Sequence, residues 1–331
     1  MKLVTFEIAT ALGPVRRIGA VEADQIVDLN LACATRLAAE GRTARAYEIA
    51  AGLVPPDMIG FFEGGALSRE AADAALAFVA GRLAADGPVE GPGGEALVHD
   101  LAAVRLLAPV PRPTSIRDTL SFEGHMINFE RRTGKPTPPR WYETPIYYKG
   151  NPRSVIGHEA PVHWPSYTEK LDYELEFGIY IGKQGADIAE EDAADHIAGY
   201  TIFNDISARD VIPGEVSMFL GPAKGKDMDT GNVMGPCLVT PDALDVSNLS
   251  MEARVNGEVW SSGNSNDMYW RFPQIIAYIS RHETLYPGDF IGSGTIANGC
   301  GDELDRWIQP GDVVELEVEG IGILRNRIMR P

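Results

Sequence analysis

The chain is predicted to be a β-rich α+β protein, and three features of its sequence support that class. From residue 116 onward, short runs of strand-like alternation recur: IYYKG, ELEFGIYIG, IAGYTIFND, CLVT, SMEARVNGEVW, DFIGSGTIA and DVVELEVEG. A single helical pattern, FPQIIAYISRHETL at 272–285, breaks them. The first hundred residues instead mix short strand-like runs with Ala-rich helical ones.

Taken in order, residues 1–31 read as a small β-meander built from MKLVTFEIA, PVRRIGAVEA and QIVDLN. Residues 32–52 and 68–85 are helical in pattern; in the second, Ala71, Ala72, Ala75, Leu76 and Val79 recur at helical spacing. VPPDMIGFFEGG between them predicts a loop or a short helical turn. The Gly- and Pro-rich run at 81–100 predicts a linker or a long hairpin. Pro109, Pro111 and Pro113 then predict an extended entry into a second domain. The expected division is an N-terminal α+β domain at 1–105 and a mostly β domain at 106–331. No solenoid-type repeat is present.

Composition narrows the function. At 331 residues the chain has room for one large domain and a small one. A net charge of −18 argues against nucleic acid and anionic membrane surfaces as partners. An anionic substrate must therefore be drawn by a local patch rather than by the global field. Cys33, Cys237 and Cys300 are few and unpaired by spacing, which fits a reducing compartment. The N-terminal run lacks an apolar signal core, and no apolar run approaches the ~20 residues of a transmembrane helix. The expectation is a cytoplasmic protein.

The chemistry concentrates in LDYELEFGIYIG, 171–182. Strand alternation puts Glu174 and Glu176 on one face, where their charges repel. A fold tolerates such a pair when a cation sits between them or one of them holds a proton; the alternative is an exposed strand with solvated acids. Two further runs add acids. FNDISARD presents Asp205, and IRDTLSFEGHMINFE carries Asp118 with His125 seven residues on. An oxygen-rich set of this type suits Mg²⁺, with Mn²⁺ or Ca²⁺ as alternatives. No Cys or second His falls at metal spacing, which argues against zinc.

The order Asp118…His125…Tyr148…Glu174-x-Glu176…Asp205…Lys226…Thr295 resembles the fumarylacetoacetate hydrolase superfamily over about residues 110–331. FNDISARDV, AKGKDMDTGNVMGPCLVT and GSGTIANGCG…PGDVVELEVEGIGILRN support the likeness; the first hundred residues resemble only the variable N-terminal domain of longer members. The resemblance implies a mixed β-roll catalytic domain and a homodimer. It implies Glu174, Glu176 and Asp205 as metal ligands, with Asp118 as a fourth; Asp118 could equally be a helix N-cap. His125 takes the role of general base, because imidazole exchanges protons near neutral pH.

In shorter, acylpyruvase-like members a Glu three residues after this His completes a dyad; here that position is Asn128. The partner acid is then Glu315, in VVELEVEG, or Glu303, in the CGDE run. Lys226 is the candidate cation for developing negative charge, with Lys224 close by. Tyr148, with Lys149 beside it, and Thr295 are expected to contact substrate. Arg131 or Arg132 could clamp a carboxylate. Ile212 stands where the hydrolases proper carry a Gln, which departs from fumarylacetoacetate specificity.

The expected activity is divalent-metal-dependent hydrolysis of a C–C bond in an acylpyruvate-type β-diketo acid, with His125 activating water. Fold and metal set do not separate hydrolysis from related chemistry. A 2-oxo acid lyase (an oxaloacetate decarboxylase or a 2-keto-3-deoxy sugar-acid dehydratase) and an isomerase are alternatives. A non-catalytic metal-binding scaffold is a third, against which His125 and Lys226 weigh.

Overall fold

Glu174, Glu176, Asp118 and Asp205 reach one place because a single large sheet runs through most of the chain. The computed structural model describes residues 1–41, 43–85 and 89–330. The N-terminal part holds β1 (Lys2–Thr10), β2 (Gly13–Glu22) and β3 (Gln25–Asp28), then α1 (Leu29–Ala39), α2 (Ala46–Leu53), α3 (Met58–Glu63) and α4 (Gly65–Leu83). Short strands β4 (Val98–Asp100) and β5 (Arg105–Leu106) lead to β6 (Ile116–Thr119), α5 (Glu123–Thr133) and β7 (Tyr147–Gly150). Next come β8 (Val155–Ile156), β9 (Val162–His163), β10 (Leu171–Asp172), β11 (Leu175–Ile181), β12 (Ile197–Asp205) and β13 (Ser207–Ala208). The remainder is α6 (Ile212–Ser217), β14 (Asn232–Val239), β15 (Ser250–Val255), β16 (Glu258–Asn264), α7 (Phe272–Ile279), β17 (Phe290–Gly292), α8 (Gly301–Leu304), β18 (Val313–Val318) and β19 (Gly322–Met329).

The main sheet has the order β4-β3-β2-β1-β14-β12-β11-β17-β6-β7, with β5 added on β1 and β8 on β14. β1 pairs with β14 through Lys2↔Val239 and Leu3↔Leu238, so the N-terminal meander extends the same sheet that carries the acids. The division near residue 105 therefore falls inside a continuous sheet. A second sheet, β16-β15-β18-β19-β9, packs on one face together with α7. Helices α1–α4 cover the other face, where Phe61, Phe62, Ala72 and Val79 share a core with Tyr180, Phe203 and Phe290. The result is a mixed α+β architecture in layers around one sheet.

Local sequence explains the element ends. Asp28 caps α1 by accepting from Leu31 N at 2.9 Å, and the same carboxylate accepts from Arg17. α7 buries Phe272, Ile275, Ile276 and Ile279, an i, i+3, i+4, i+7 face, and Gln274 bonds back to Arg271 N at 2.9 Å. It ends at Ile279, short of the expected 285, because the chain turns at Ser280 and His282 takes a positive φ of 52°. The helix expected across 32–52 is two helices, with Gly41 at φ 64° just past the first. Residues 86–88, the centre of the expected linker or hairpin, lie outside the described residues; after them Glu90 and Ala96 form an antiparallel bridge. All three cysteines are free and buried, and among the described residues no helix is long and apolar enough to cross a membrane.

Strand β11 is buried at all seven positions, so its alternation separates two cores rather than core from solvent. Phe177 and Ile179 face the second sheet, and Tyr180 faces the N-terminal helices. Gly178 lies between, where β17 crosses closely: a Cβ there would collide with the Phe290 ring and come within 2.8 Å of the Ile291 carbonyl. Gly178→Ala is expected to cost about 3 kcal/mol of stability through overpacking. Chemical denaturation measures it, and an unchanged midpoint would show that β17 can move aside.

Candidate metal centre and proton-transfer pair

The acids come together through strand register. Glu176 pairs with Phe203 on β12, so Asp205, two residues further on, lies on the same face of the sheet. On the other side, Gly178 pairs with Gly292 of β17, and Gly292 pairs with Asp118 of β6. Gly292 has to be glycine: a Cβ there would collide with Asp118 Oδ1 and lie 3.1 Å from Phe203. The next glycine, Gly294, with φ 73°, donates its N–H to the same Asp118 oxygen at 3.1 Å. Asp118 therefore sits inside a strand with its carboxylate turned to the site, and the helix-cap reading does not apply; α5 starts five residues later, at Glu123, without a side-chain cap.

Asp118, Glu176 and Asp205 each offer an oxygen within 4.8 Å of the other two, and all three are buried. No hydrogen-bond donor reaches either oxygen of Glu176 or Oδ1 of Asp205. Burial pushes the Asp118 carboxyl up to about 8, helped by the Asp205 charge. Burial, with Asp118 and Glu174 nearby, holds Glu176 well above the carboxylate range. For Asp205 burial again dominates, partly offset by Lys226, and leaves it at about 6. Bare carboxylate oxygens with this charge strain, all hard donors, fit a divalent cation.

Glu174 is the exception among the four expected ligands. Its Oε1 accepts from Arg209 Nη2 at 2.7 Å and its Oε2 from Lys226 Nζ at 2.5 Å. Burial alone would raise it, but the two cations win and bring it down to about 2. It adjoins the cluster without sharing it; coordination by Glu174 requires it to exchange Lys226 for the ion. Lys226 also bonds Asp205 Oδ2, and Tyr148 donates to that oxygen at 2.6 Å. The ammonium thus lies between two acids and beneath the Tyr148 ring, 5.8 Å from its centre. Tyr148, Lys226, Asn151 and Pro222 line a cleft of about 180 Å³ that opens to solvent here. Lys224 instead lies over Tyr167, and Lys149, which also lines the cleft, faces Glu283 at 3.7 Å.

The second half of the site is on α5 and α8. His125 Nδ1 contacts Glu303 Oε1. Glu303 Oε2 accepts from Asn128 Nδ2 at 2.6 Å and from the Asn298 N–H. Asn128, which replaces the dyad Glu of shorter relatives, therefore braces the acid that pairs with His125. A carboxylate opposite Nδ1 places the ring proton there and leaves Nε2 as the accepting nitrogen. His125 is near enough to Glu174 that an imidazolium formed there would help keep that acid ionised.

Other expectations need correction. Glu315 does not meet His125: it lies on β18 in the second sheet, 3.5 Å from both Arg254 Nε and Arg325 Nε. Arg132 shares the face of α5 with His125 and Asn128 but bonds Asp302 at 3.0 Å, and Arg131 is exposed without a partner among the described residues. Thr295 is buried and its hydroxyl donates to the Leu175 carbonyl at 3.3 Å, so it supports the strand rather than offering a free hydroxyl. Sequence reasoning passed over Arg209 and Asp172. Arg209 lies four residues after Asp205 in the run already singled out, and its Nε donates to Asp172 Oδ2 at 2.8 Å.

The fold, with a buried acid cluster that could hold a divalent cation, points to one enzyme class, and comparison with known proteins names the family. Residues 114–329 match the model of the fumarylacetoacetate (FAA) hydrolase C-terminal family, and the chain belongs to that family. It is 36% identical to oxaloacetate tautomerase YisK of Bacillus subtilis, over 70% of this chain and 75% of that one. It is 31% identical to mitochondrial oxaloacetate tautomerase FAHD2A of Bos taurus, over 99% of this chain and 92% of that one. Among solved structures, a fumarylacetoacetate hydrolase from psychrophilic Exiguobacterium antarcticum superposes with a TM-score of 0.71 at 27% identity, covering both chains fully. The maleylpyruvate hydrolase of Sphingobium sp. SYK-6, solved with manganese(II) and pyruvate, gives 0.68 at 25% identity, over 100% of this chain and 99% of that one.

Two outcomes are expected. Asp118 holds its proton up to about 8 in the folded chain but only to the ordinary value of 3.8 when unfolded. The folded state then binds more protons across that window, so stability in a chelating buffer falls as pH rises from 4 to 8. Saturating Mg²⁺ or Mn²⁺ should flatten that slope by replacing the protons. Thermal melts at several pH values check this; a metal-independent slope would count against the cluster as a cation site. Separately, Glu303→Gln should lower turnover about 10²-fold, whereas Glu315→Gln should leave it within twofold. The reverse ranking in steady-state rates would return the partner role to Glu315.

Proposed function

We propose that the protein is a divalent-metal-dependent tautomerase of a short 2-oxo dicarboxylic acid of the oxaloacetate type. The observation that carries this reading is the single base pair, His125 with Glu303, set beside a carboxylate cluster in which both oxygens of Glu176 and one of Asp205 lack donors. Keto–enol exchange needs one group that both takes and returns a proton, and no water nucleophile. Relatives named as oxaloacetate tautomerases, one of them aligned along 99% of this chain, support the substrate class.

Asp118, Glu176 and Asp205 would hold Mg²⁺ or Mn²⁺, with Glu174 adjacent; the manganese(II) of the maleylpyruvate hydrolase supports that choice of ion. A cation held there supplies Lewis-acid polarisation of the carbonyl beside the acidic carbon. His125 Nε2 takes a proton from carbon 3. That C–H electron pair forms the C2–C3 double bond as the carbonyl π pair moves onto oxygen, and the imidazolium delivers the proton to that oxygen; the reverse sequence regenerates the ketone. Glu303 keeps the ring in the accepting tautomer and offsets the imidazolium that forms. Lys226 supplies fixed positive charge beside the cleft. The protein acts on a small molecule, as a homodimer.

This reading departs from the hydrolysis expected from the sequence. C–C hydrolysis of an acylpyruvate stands as the second reading, favoured by full-length structural similarity to the maleylpyruvate hydrolase. One experiment separates them. The Mn²⁺-loaded protein is given the enol form of oxaloacetate and, in parallel, acetylpyruvate and fumarylpyruvate, with Glu176→Gln as the blank. Accelerated loss of the enol ultraviolet band without pyruvate or CO₂ is the expected result. His125→Ala should reduce that rate by about 10²–10⁴. Pyruvate released from a diketo acid would install the hydrolase reading, and CO₂ from oxaloacetate a decarboxylase.

A further inference from the structure

We infer that Asp172 is a positioning residue for proton transfer: by anchoring the first turn of α8 it sets where Glu303 meets His125. The inference rests on the reading of His125 and Glu303 as the proton-transferring pair.

Asp172 is fully buried at the end of β10, and both of its oxygens are used. Oδ1 accepts from Gly301 N at 2.8 Å and from its neighbour Tyr173 N at 2.9 Å. Oδ2 accepts from Asp302 N at 3.0 Å and from Arg209 Nε at 2.8 Å. Two of these four donors are the opening amides of α8. That helix spans four residues and closes at Asp305, whose φ is 53°. One turn has too few internal hydrogen bonds to hold its own position, so its placement comes from what grips its ends.

The grip at the start is specific. Gly301 approaches Asp172 so closely that a Cβ would lie 2.6 Å from Oδ1 and would collide with the Arg306 carbonyl. Just before it, Leu175 N donates to the Gly299 carbonyl at 2.9 Å, and Glu174 bridges Cys300. The segment that delivers Glu303 is thereby fastened to the strand that delivers Glu176. Through Arg209, the same Asp172 also touches Glu174. A simpler role, neutralising a buried Arg209, predicts no effect on His125; positioning predicts a specific one.

The test compares Asp172→Asn with Glu303→Gln by ¹⁵N-resolved NMR of the histidine rings, the His125 signal being identified by its loss in His125→Ala. In the native chain His125 is expected as the Nδ1–H tautomer. In Asp172→Asn that signature should give way to mixed tautomers, as in Glu303→Gln. Turnover should fall roughly 10- to 100-fold, as for a misplaced catalytic group, with KM and Mn²⁺ affinity unchanged. In the double variant the Asp172 change should add no further loss. Gly301→Ala pushes α8 off Asp172 without altering a buried charge; it is read the same way should Asp172→Asn fail to fold. An unaltered His125 spectrum, a fully additive double variant, or Mn²⁺ affinity falling in step with turnover would overturn the inference. The NMR readout needs no substrate, so a failure of the tautomerase reading is told apart from a failure of this one.

Discussion

The mutual repulsion of buried carboxylates on one sheet face is the constraint from which the rest of the site follows. Asp118, Glu176 and Asp205 crowd within 4.8 Å, and Glu174 adjoins them. Burying one unpaired carboxylate costs several kcal/mol, and burying several together is tolerable only with protons or cations to offset them. The chain supplies part of that charge itself. Lys226 and Arg209 hold Glu174, and Tyr148 and Lys226 bond one oxygen of Asp205. The oxygens left bare are those of Glu176 and the other oxygen of Asp205. A hard divalent cation satisfies them in a way that a proton does only in part.

The scaffold serves that constraint. Asp118, Glu176 and Asp205, on β6, β11 and β12, can share one face only if the intervening strand, β17, approaches closely, and Gly292 opposite Asp118 permits it. Covering both faces of the sheet then removes water from the acids. α1–α4 do this on one side, and α7 with the second sheet on the other. The N-terminal hundred residues are thus part of the structure that buries the acid-bearing strands, since β1 pairs directly with β14.

What could be read from the sequence divides along physical lines. Strand alternation has a period of two, so the shared face of Glu174 and Glu176 was legible from spacing alone. The seven-residue gap from Asp118 to His125 is local and was legible too. The partner of His125 was not, because Glu303 lies 178 residues away and the choice between it and Glu315 depends on which acid the tertiary fold folds back. The arginines of α5 failed for different reasons: Arg131 is out of phase with His125 and turns to solvent, while Arg132 shares its face but is taken by Asp302. Glu174 looked like a ligand equal to the others because the sequence does not reveal that Arg209 and Lys226 converge on it. The expected helix at 272–285 was too long because a pattern of apolar residues does not mark the turn at Ser280.

The central claim is that the acid cluster holds one divalent cation, and anomalous diffraction from crystals grown with Mn²⁺ tests it most directly. The account requires one anomalous peak per chain, bounded by oxygens of Asp118, Glu176 and Asp205. The bare oxygens of Glu176 should be among those in contact. No peak there at saturating Mn²⁺, or a peak elsewhere with Glu176 still unsatisfied, would contradict it.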